Sequence, residues 1–182
     1  MTAPRVLVPL AAGVEEIEAV TIIDVLRRAG VEVVVAGLEA GVITASRGVK
    51  LVADVDVAAV SDTAFDAVIL PGGLGGTQRL RADPRIRSIL VRARHAGSLI
   101  AAICAAPTVL ADAGLLAGKR ATAHPSVIDV LAGANTSDER VVVDDGIVTS
   151  RGAGTAMDFA LALVRMMVGE AKEAELRAAM VV

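Results

Sequence analysis

Short apolar runs closed by glycine or proline recur along this chain, and between them apolar residues return every three or four positions. Residues 6–10 end at Ala11-Ala12-Gly13, and the segment after them repeats Ile17, Val20, Thr21, Asp24, Val25 and Arg28 at helical spacing. Gly30 stands where a residue just past a helix end is expected, and residues 31–36 return to β-branched side chains. A strand, a helix and a second parallel strand are therefore predicted. Residues 42–46 and 49–52, parted by Arg47-Gly48, predict a small antiparallel excursion. Residues 65–70 resume the sheet and end in a glycine-dense turn over 71–76. Asp83 as N-cap and Pro84 at the first helical position then open a helix that Gly97 closes.

Residues 99–103 read as another buried strand, Cys104 follows it directly, and Pro107 marks the first turn of a further helix. The later pattern predicts a strand over 120–123, a helix after Pro125, a hairpin over 141–150 turning at Asp144-Asp145-Gly146, and helices from Thr155 and Glu170. Repeated alternation of strand and helix, without repeat, linker or low-complexity segment, predicts one α/β domain over residues 1–182. Its sheet is expected to be doubly wound, mostly parallel and covered by helices on both faces.

Composition narrows this picture. Hydrophobic residues make up 54% of the chain, yet Phe65 and Phe159 are its only aromatic residues, so the core is aliphatic, as buried parallel strands favour. With a net charge of −3 and no long basic run, nucleic acid is not an expected partner. One cysteine cannot form an internal disulfide, and the first residues lack the length and cleavage site of a signal peptide, so a reducing cytoplasm is expected. No apolar run approaches the roughly 20 residues a membrane helix needs, so no membrane association is expected.

In open α/β sheets the working groups lie just past the carboxyl ends of the strands. Those positions hold Gly13 to Glu18, Pro71 to Gly76, Cys104 to Ala106, and His124 with Pro125. A thiol at a helix N-terminus is expected to have a lowered pKa and nucleophilic character, although a lone cysteine is equally a small buried hydrophobe. Glu15 and Glu16 suit the positive end of the first helix, whereas Glu18 shares an arc with Val14, Thr21 and Ile22 and faces either the sheet end or solvent. A carboxyl held there beside a thiolate would be pushed towards its protonated form and could donate a hydrogen bond to sulfur. Gly72, Gly73 and the amide of Ala105 can aim N–H groups at an oxyanion, or the glycines can simply make a tight turn. The glycine spacing fits neither a phosphate-binding loop nor a dinucleotide fingerprint. His124 is placed at the site edge for acid-base work or as a turn residue, and His95 reads as structural at a helix end. Two histidines and one cysteine far apart form no metal-ligand pattern, and no cofactor is expected.

Taken together, Glu15-Glu16-Ile17-Glu18, Leu70-Pro71-Gly72-Gly73, residues 101–107 around Cys104, Ala123-His124-Pro125 and residues 149–155 resemble the ThiJ/PfpI superfamily, in its YajL/DJ-one branch. The likeness runs in order over nearly the whole chain and includes residues 27–30 and 46–49. It implies a flavodoxin-like sandwich, similar to class I glutamine amidotransferases, that forms a homodimer. It also implies Cys104 as a reactive thiol on a strained elbow, Glu18 as its protonated partner, Gly72, Gly73 and Ala105 as oxyanion amides, and His124 nearby. Arg28 and Arg47 match arginines around the pocket and dimer interface of that family. The activity implied is glutathione-independent, cofactor-free removal of methylglyoxal or glyoxal, or of the groups they leave on glycated proteins. The alternative is a non-enzymatic stress protein or chaperone switched by oxidation of Cys104. An old family label, thiazole or thiamine biosynthesis, finds no phosphate site here. Ala105 stands where the protease-like branch has a histidine after its cysteine, so peptidase activity is not expected. Ser126 stands where the amidotransferases place an acid, so no full Cys-His-acid triad is expected. Ala153 replaces the proline common in this loop, a change expected to alter its stiffness only.

Overall fold

The computed structural model describes residues 3–182. Its elements follow the chain as β1 (Arg5–Leu10), α1 (Glu16–Arg28), β2 (Glu32–Gly37), β3 (Val42–Thr44), β4 (Lys50–Val52), β5 (Val55–Asp56), α2 (Val57–Val60), β6 (Ala67–Leu70), α3 (Leu74–Ala82), α4 (Pro84–His95), β7 (Leu99–Ile103) and α5 (Pro107–Asp112). β8 (Arg120–Ala121), β9 (Asn135–Thr136), β10 (Val141–Asp144), β11 (Ile147–Ser150), α6 (Ala156–Met167) and α7 (Glu170–Met180) complete it. Seven strands lie in the order β10-β11-β7-β6-β1-β2-β5, all parallel except β10, which returns antiparallel to β11. The α/β class and the mostly parallel sheet flanked by helices are as the sequence predicts.

Strand residues alternate between two cores. Val6, Val8, Leu10, Ile69, Ala101 and Ile103 face α1 and α6, while Leu7, Val68, Leu70, Ile100 and Ala102 face the other layer with Leu80, Ile86, Ile89 and Leu90. With both faces covered the strands read as unbroken apolar runs. The chain leaves β1 towards β2 on one side and returns through β6 and β7 on the other, so the strand order reverses between β1 and β6. A crevice at such a switch point is where open sheets bind ligands.

Four details differ from the sequence reading. The stripe of α1 that packs inward is Ala19, Ile22, Val25 and Leu26, whereas Ile17 and Val20 are 56% and 47% exposed; an α1 rich in aliphatic residues on two faces leaves its buried side ambiguous until α6 is in place. The glycine-dense turn passes at Leu74 into α3, which contains Gly75 and Gly76; their helix cost is accepted because a Cβ on Gly76 would stand 2.8 Å from Val14. After Pro125 there is only a 3₁₀ turn, Ile128–Val130. Residues 120–123 contribute the two-residue β8, which pairs with β9 outside the main sheet.

Candidate functional site

Two loops cross at the switch point in backbone contact. Glu15 N–H donates to Gly72 O at 3.0 Å, and a Cβ on Gly73 would lie 2.4 Å from both Glu15 N and Gly13 O. Gly73 also holds φ at +86°, so only glycine allows this crossing. The crossing brings the first turn of α1 over the ends of β6 and β7. Glu15 caps the helix by accepting Glu18 N–H at 2.8 Å, which fixes that turn. Glu18 is then fully buried, and its Oε2 accepts the Gly72 N–H at 2.8 Å.

Cys104 terminates β7 on a left-handed backbone, φ +66°, a conformation that costs a non-glycine residue about 1–3 kcal/mol. Its surroundings hold it there: Cys104 N–H donates to Ser150 O at 2.9 Å, Cys104 O accepts His124 N–H at 2.8 Å, and Ala106 N–H closes the turn on Ile103 O at 3.0 Å. Ala105 and Ala106 are small and buried, which lets the elbow sit tight against its neighbours. Gly72 lies between the two key side chains. A Cβ there would be 2.6 Å from Cys104 Cβ and 2.7 Å from Glu18 Oε2.

This geometry alters one assignment. The Gly72 amide is spent on Glu18 and cannot also serve as an oxyanion donor, whereas the amides of Gly73 and Ala105 do face the Cys104 sulfur. Gly72 is a spacer and an anchor for the carboxyl.

The electrostatics also depart from expectation. α5 begins three residues beyond Cys104 and is six residues long, so its dipole is a weak influence. Burial first, and then the Glu18 charge, push the half-buried thiol up to about 12, against the pull of the Gly73 and Ala105 amides. Burial likewise raises Glu18 to about 7, with the Glu15 charge adding and the Gly72 N–H and Cys104 opposing. The direction for Glu18 agrees with the sequence reading, but its main cause is desolvation rather than a thiolate. Two groups coupled this closely titrate as a pair, which sheds one proton near 7 and holds the second. A thiolate exists in that singly protonated pair only when Glu18 keeps the proton. Glu18 Oε1, the other carboxyl oxygen, is buried without a hydrogen-bond partner.

His124 sits at the exposed rim. Its Nδ1 lies 2.8 Å from Ser126 Oγ and accepts the Ser126 N–H at 3.2 Å, so the neutral ring carries its proton on Nε2. Arg47 is at the mouth of the same cleft. Buried Glu16, read from sequence as a helix-end charge, accepts both Ser46 Oγ at 2.7 Å and Arg47 N–H at 2.8 Å and so fixes that corner. Nothing in the local sequence signals this long-range role. Arg28 is elsewhere: it pairs with Asp24 at 2.7 Å on the solvent side of the last turn of α1, remote from the cleft because α1 runs away from the sheet edge. Within one chain Arg28 does not line the cleft.

Glu18, Arg47, Gly73, Cys104, Ala105 and His124 line one cleft of about 570 Å³. A second hollow of about 500 Å³, under Phe65, Arg92 and Ser98, opens at the amino ends of β6 and β7 and is lined by neither cysteine nor histidine. Among the described residues no three His, Cys, Asp or Glu side chains gather as a metal site requires, and no helix is long and apolar enough to cross a membrane.

A family model for the DJ-1/PfpI family matches residues 4–166. The chain is 42% identical to Protein DJ-1 homolog B of Arabidopsis thaliana over 98% of its length and 41% of the plant protein, so it spans less than half of that relative. It is 39% identical to the Glutathione-independent glyoxalase DJR-1.2 of Caenorhabditis elegans over 87% of this chain and 85% of the other. Among solved structures, Drosophila melanogaster DJ-1beta superposes with a TM-score of 0.97 at 42% identity, covering 100% of this chain and 99% of that one. Oxidized Toxoplasma gondii DJ-1 superposes at 0.95 with 41% identity, covering 98% of each chain.

Proposed function

The chain belongs to the DJ-1/PfpI family, and from that footing we propose that it converts small 2-oxoaldehydes, methylglyoxal and glyoxal, to 2-hydroxy acids through Cys104 without glutathione or cofactor. The observation that carries this reading is the pairing of an elbow-held thiol with a buried carboxyl raised to about 7, beside two N–H groups. The glyoxalase name of the nematode relative supports it.

In this scheme Glu18 holds the proton while Cys104 Sγ, as thiolate, attacks the aldehyde carbon. The C–S bond forms, the carbonyl π pair moves to oxygen beside the Gly73 and Ala105 amides, and Glu18 donates its proton to that oxygen. The Glu18 carboxylate next removes the proton from the sulfur-bearing carbon while the Nε2–H edge of His124 hydrogen-bonds the neighbouring carbonyl oxygen, giving an enediolate. Return of the proton from Glu18 to the neighbouring carbon, with the hydroxyl proton on the sulfur-bearing carbon passing to the enediolate oxygen beside it, leaves a 2-hydroxy thioester. Water then cleaves the C–S bond, releasing the acid and the thiol. One carbon is oxidised and its neighbour reduced, so the sum is oxoaldehyde plus water, with no external redox partner. Adducts of the same dicarbonyls on protein side chains present the same carbon to the same sulfur.

Purified protein supplied with methylglyoxal is expected to form lactate, and Cys104→Ser and Glu18→Ala to lose at least ~100-fold of that rate. Lactate from the parent no faster than from Cys104→Ser would overturn the reading.

The oxidized Toxoplasma relative favours a second role, as a peroxide-responsive stress protein or chaperone of the cytoplasm. Peroxide would transfer one oxygen and then another to Cys104 Sγ, leaving water and a sulfinate within reach of the protonated Glu18. Mass spectrometry after graded peroxide tests this: oxidation of Cys104 no faster than of free cysteine argues against it. The exposed Ile17 and Val20 on α1 support the homodimer, with Arg28 on the same helix as an interface residue.

A further inference from the structure

The glycines around the cleft are not alike. Gly73 is demanded by its positive φ, and Gly72, Gly73 and Gly76 by packing, since a Cβ on each would come within 2.8 Å of its neighbours. Gly152, in the loop after β11, meets neither demand. Its φ of 161° is extended backbone, and a Cβ there would make only ordinary contacts: 3.5 Å to His124 Cδ2, 4.0 Å to Cys104 Sγ and 4.0 Å to Glu18 Oε1. An alanine would fit. The absent methyl leaves a space of its own size, bounded by the sulfur, the unpartnered carboxyl oxygen and the imidazole edge. The space is rigid, because Gly152 N–H donates to Thr155 Oγ1 at 3.1 Å and Gly152 O accepts Thr155 N–H at 2.8 Å.

We infer that Gly152 is the specificity-determining position of the cleft: its missing side chain is the seat for one methyl-sized group carried on or beside the carbon that bonds to Cys104. This rests on Cys104 being the nucleophile proposed above. An atom bonded to Sγ on that side lies nearer to the Gly152 Cα than Sγ itself, so a methyl added to the protein and one carried by the ligand compete for one volume. A methyl in a closed pocket is worth roughly 10–200-fold in discrimination.

The test separates the two readings. With glyoxal and methylglyoxal as substrates, Gly152→Ala is expected to lower kcat/KM for methylglyoxal at least ~10-fold relative to glyoxal. Independently of turnover, Cys104 is alkylated with iodoacetamide and with 2-iodopropanamide, which adds a methyl to the bonding carbon, and followed by intact mass. Gly152→Ala is expected to slow the second reagent by ~10-fold relative to the first, and Gly154→Ala, where a Cβ meets nothing within 4 Å, to leave that ratio unchanged. Equal slowing of both reagents by Gly152→Ala, or none, overturns the inference. Should Gly152→Ala not fold, the parent decides: a reagent ratio like that of free cysteine supports an open seat, and a ratio ~10-fold lower refutes it. A parent that turns over no oxoaldehyde but shows the alkylation pattern refutes the proposed reaction and leaves the assignment of Gly152 standing.

Discussion

Replacing Glu18 with glutamine tests the central physical claim about this site, that a buried carboxyl keeps its proton near neutrality. In the unfolded chain Glu18 ionises around 4.5, and in the folded protein around 7. The sign follows from linkage: an acid whose folded pKa is raised contributes stability that is fully present below 4.5 and is lost progressively as pH rises to 7, above which the loss is complete. At about 1.4 kcal/mol per pH unit, that interval corresponds to about 3 kcal/mol. Glutamine keeps the shape and can accept the Gly72 N–H through its amide oxygen, but it does not titrate. Urea unfolding of parent and Glu18→Gln is to be measured in parallel between about pH 4.5 and about pH 8, below the range where the unfolded thiol ionises. Groups other than the coupled Cys104 titrate alike in both proteins, and over this range the unfolded thiol stays protonated, so the difference reports on position 18. It is expected to rise by about 3 kcal/mol in favour of Glu18→Gln across the interval, most steeply between pH 5 and pH 7. A difference flat to within about 0.5 kcal/mol would mean that Glu18 ionises normally in the fold, and the proton exchange with Cys104 would lose its basis.

The same pair controls reactivity. The rate of Cys104 alkylation by iodoacetamide is expected to climb through pH about 7, as the pair sheds its first proton, and then to level. In Glu18→Gln, with no acid to share the charge, the climb is expected at higher pH because burial still opposes the thiolate; an unmoved curve would refute the coupling. The loop crossing predicts a contrast between two glycines of similar φ. Gly73→Ala is expected to cost more than about 3 kcal/mol or to prevent folding, while Gly30→Ala, at φ +82° with nothing within 4 Å, is expected to cost only about 1–2 kcal/mol. Equal losses in thermal unfolding would show that the crossing is not close-packed.

Much of the architecture is written locally. The order of strands and helices follows from apolar periodicity and from Asp83-Pro84, Gly30 and Gly97 as stops and starts, because those signals depend only on backbone preferences over a few residues. Cys104 and Glu18 are legible as candidate site residues for the same reason: each falls in a segment just past a predicted strand end, and their motifs carry the family resemblance that the comparisons bear out. What the chain hides is every property that depends on segments far apart. Which face of α1 turns inward awaits α6. Gly72 spends its amide on a carboxyl 54 residues away, and Glu16 anchors a loop 30 residues away. Most tellingly, helix-end reasoning predicts a lowered thiol pKa, and the structure reverses it. A dipole is visible in a local pattern, but desolvation is set by everything packed around the group, and here burial outweighs a six-residue helix. Sequence alone therefore determines which residues can do chemistry and roughly where in the fold they stand. Only the assembled fold, by burying a carboxyl and a thiol together, raises both and couples their titration.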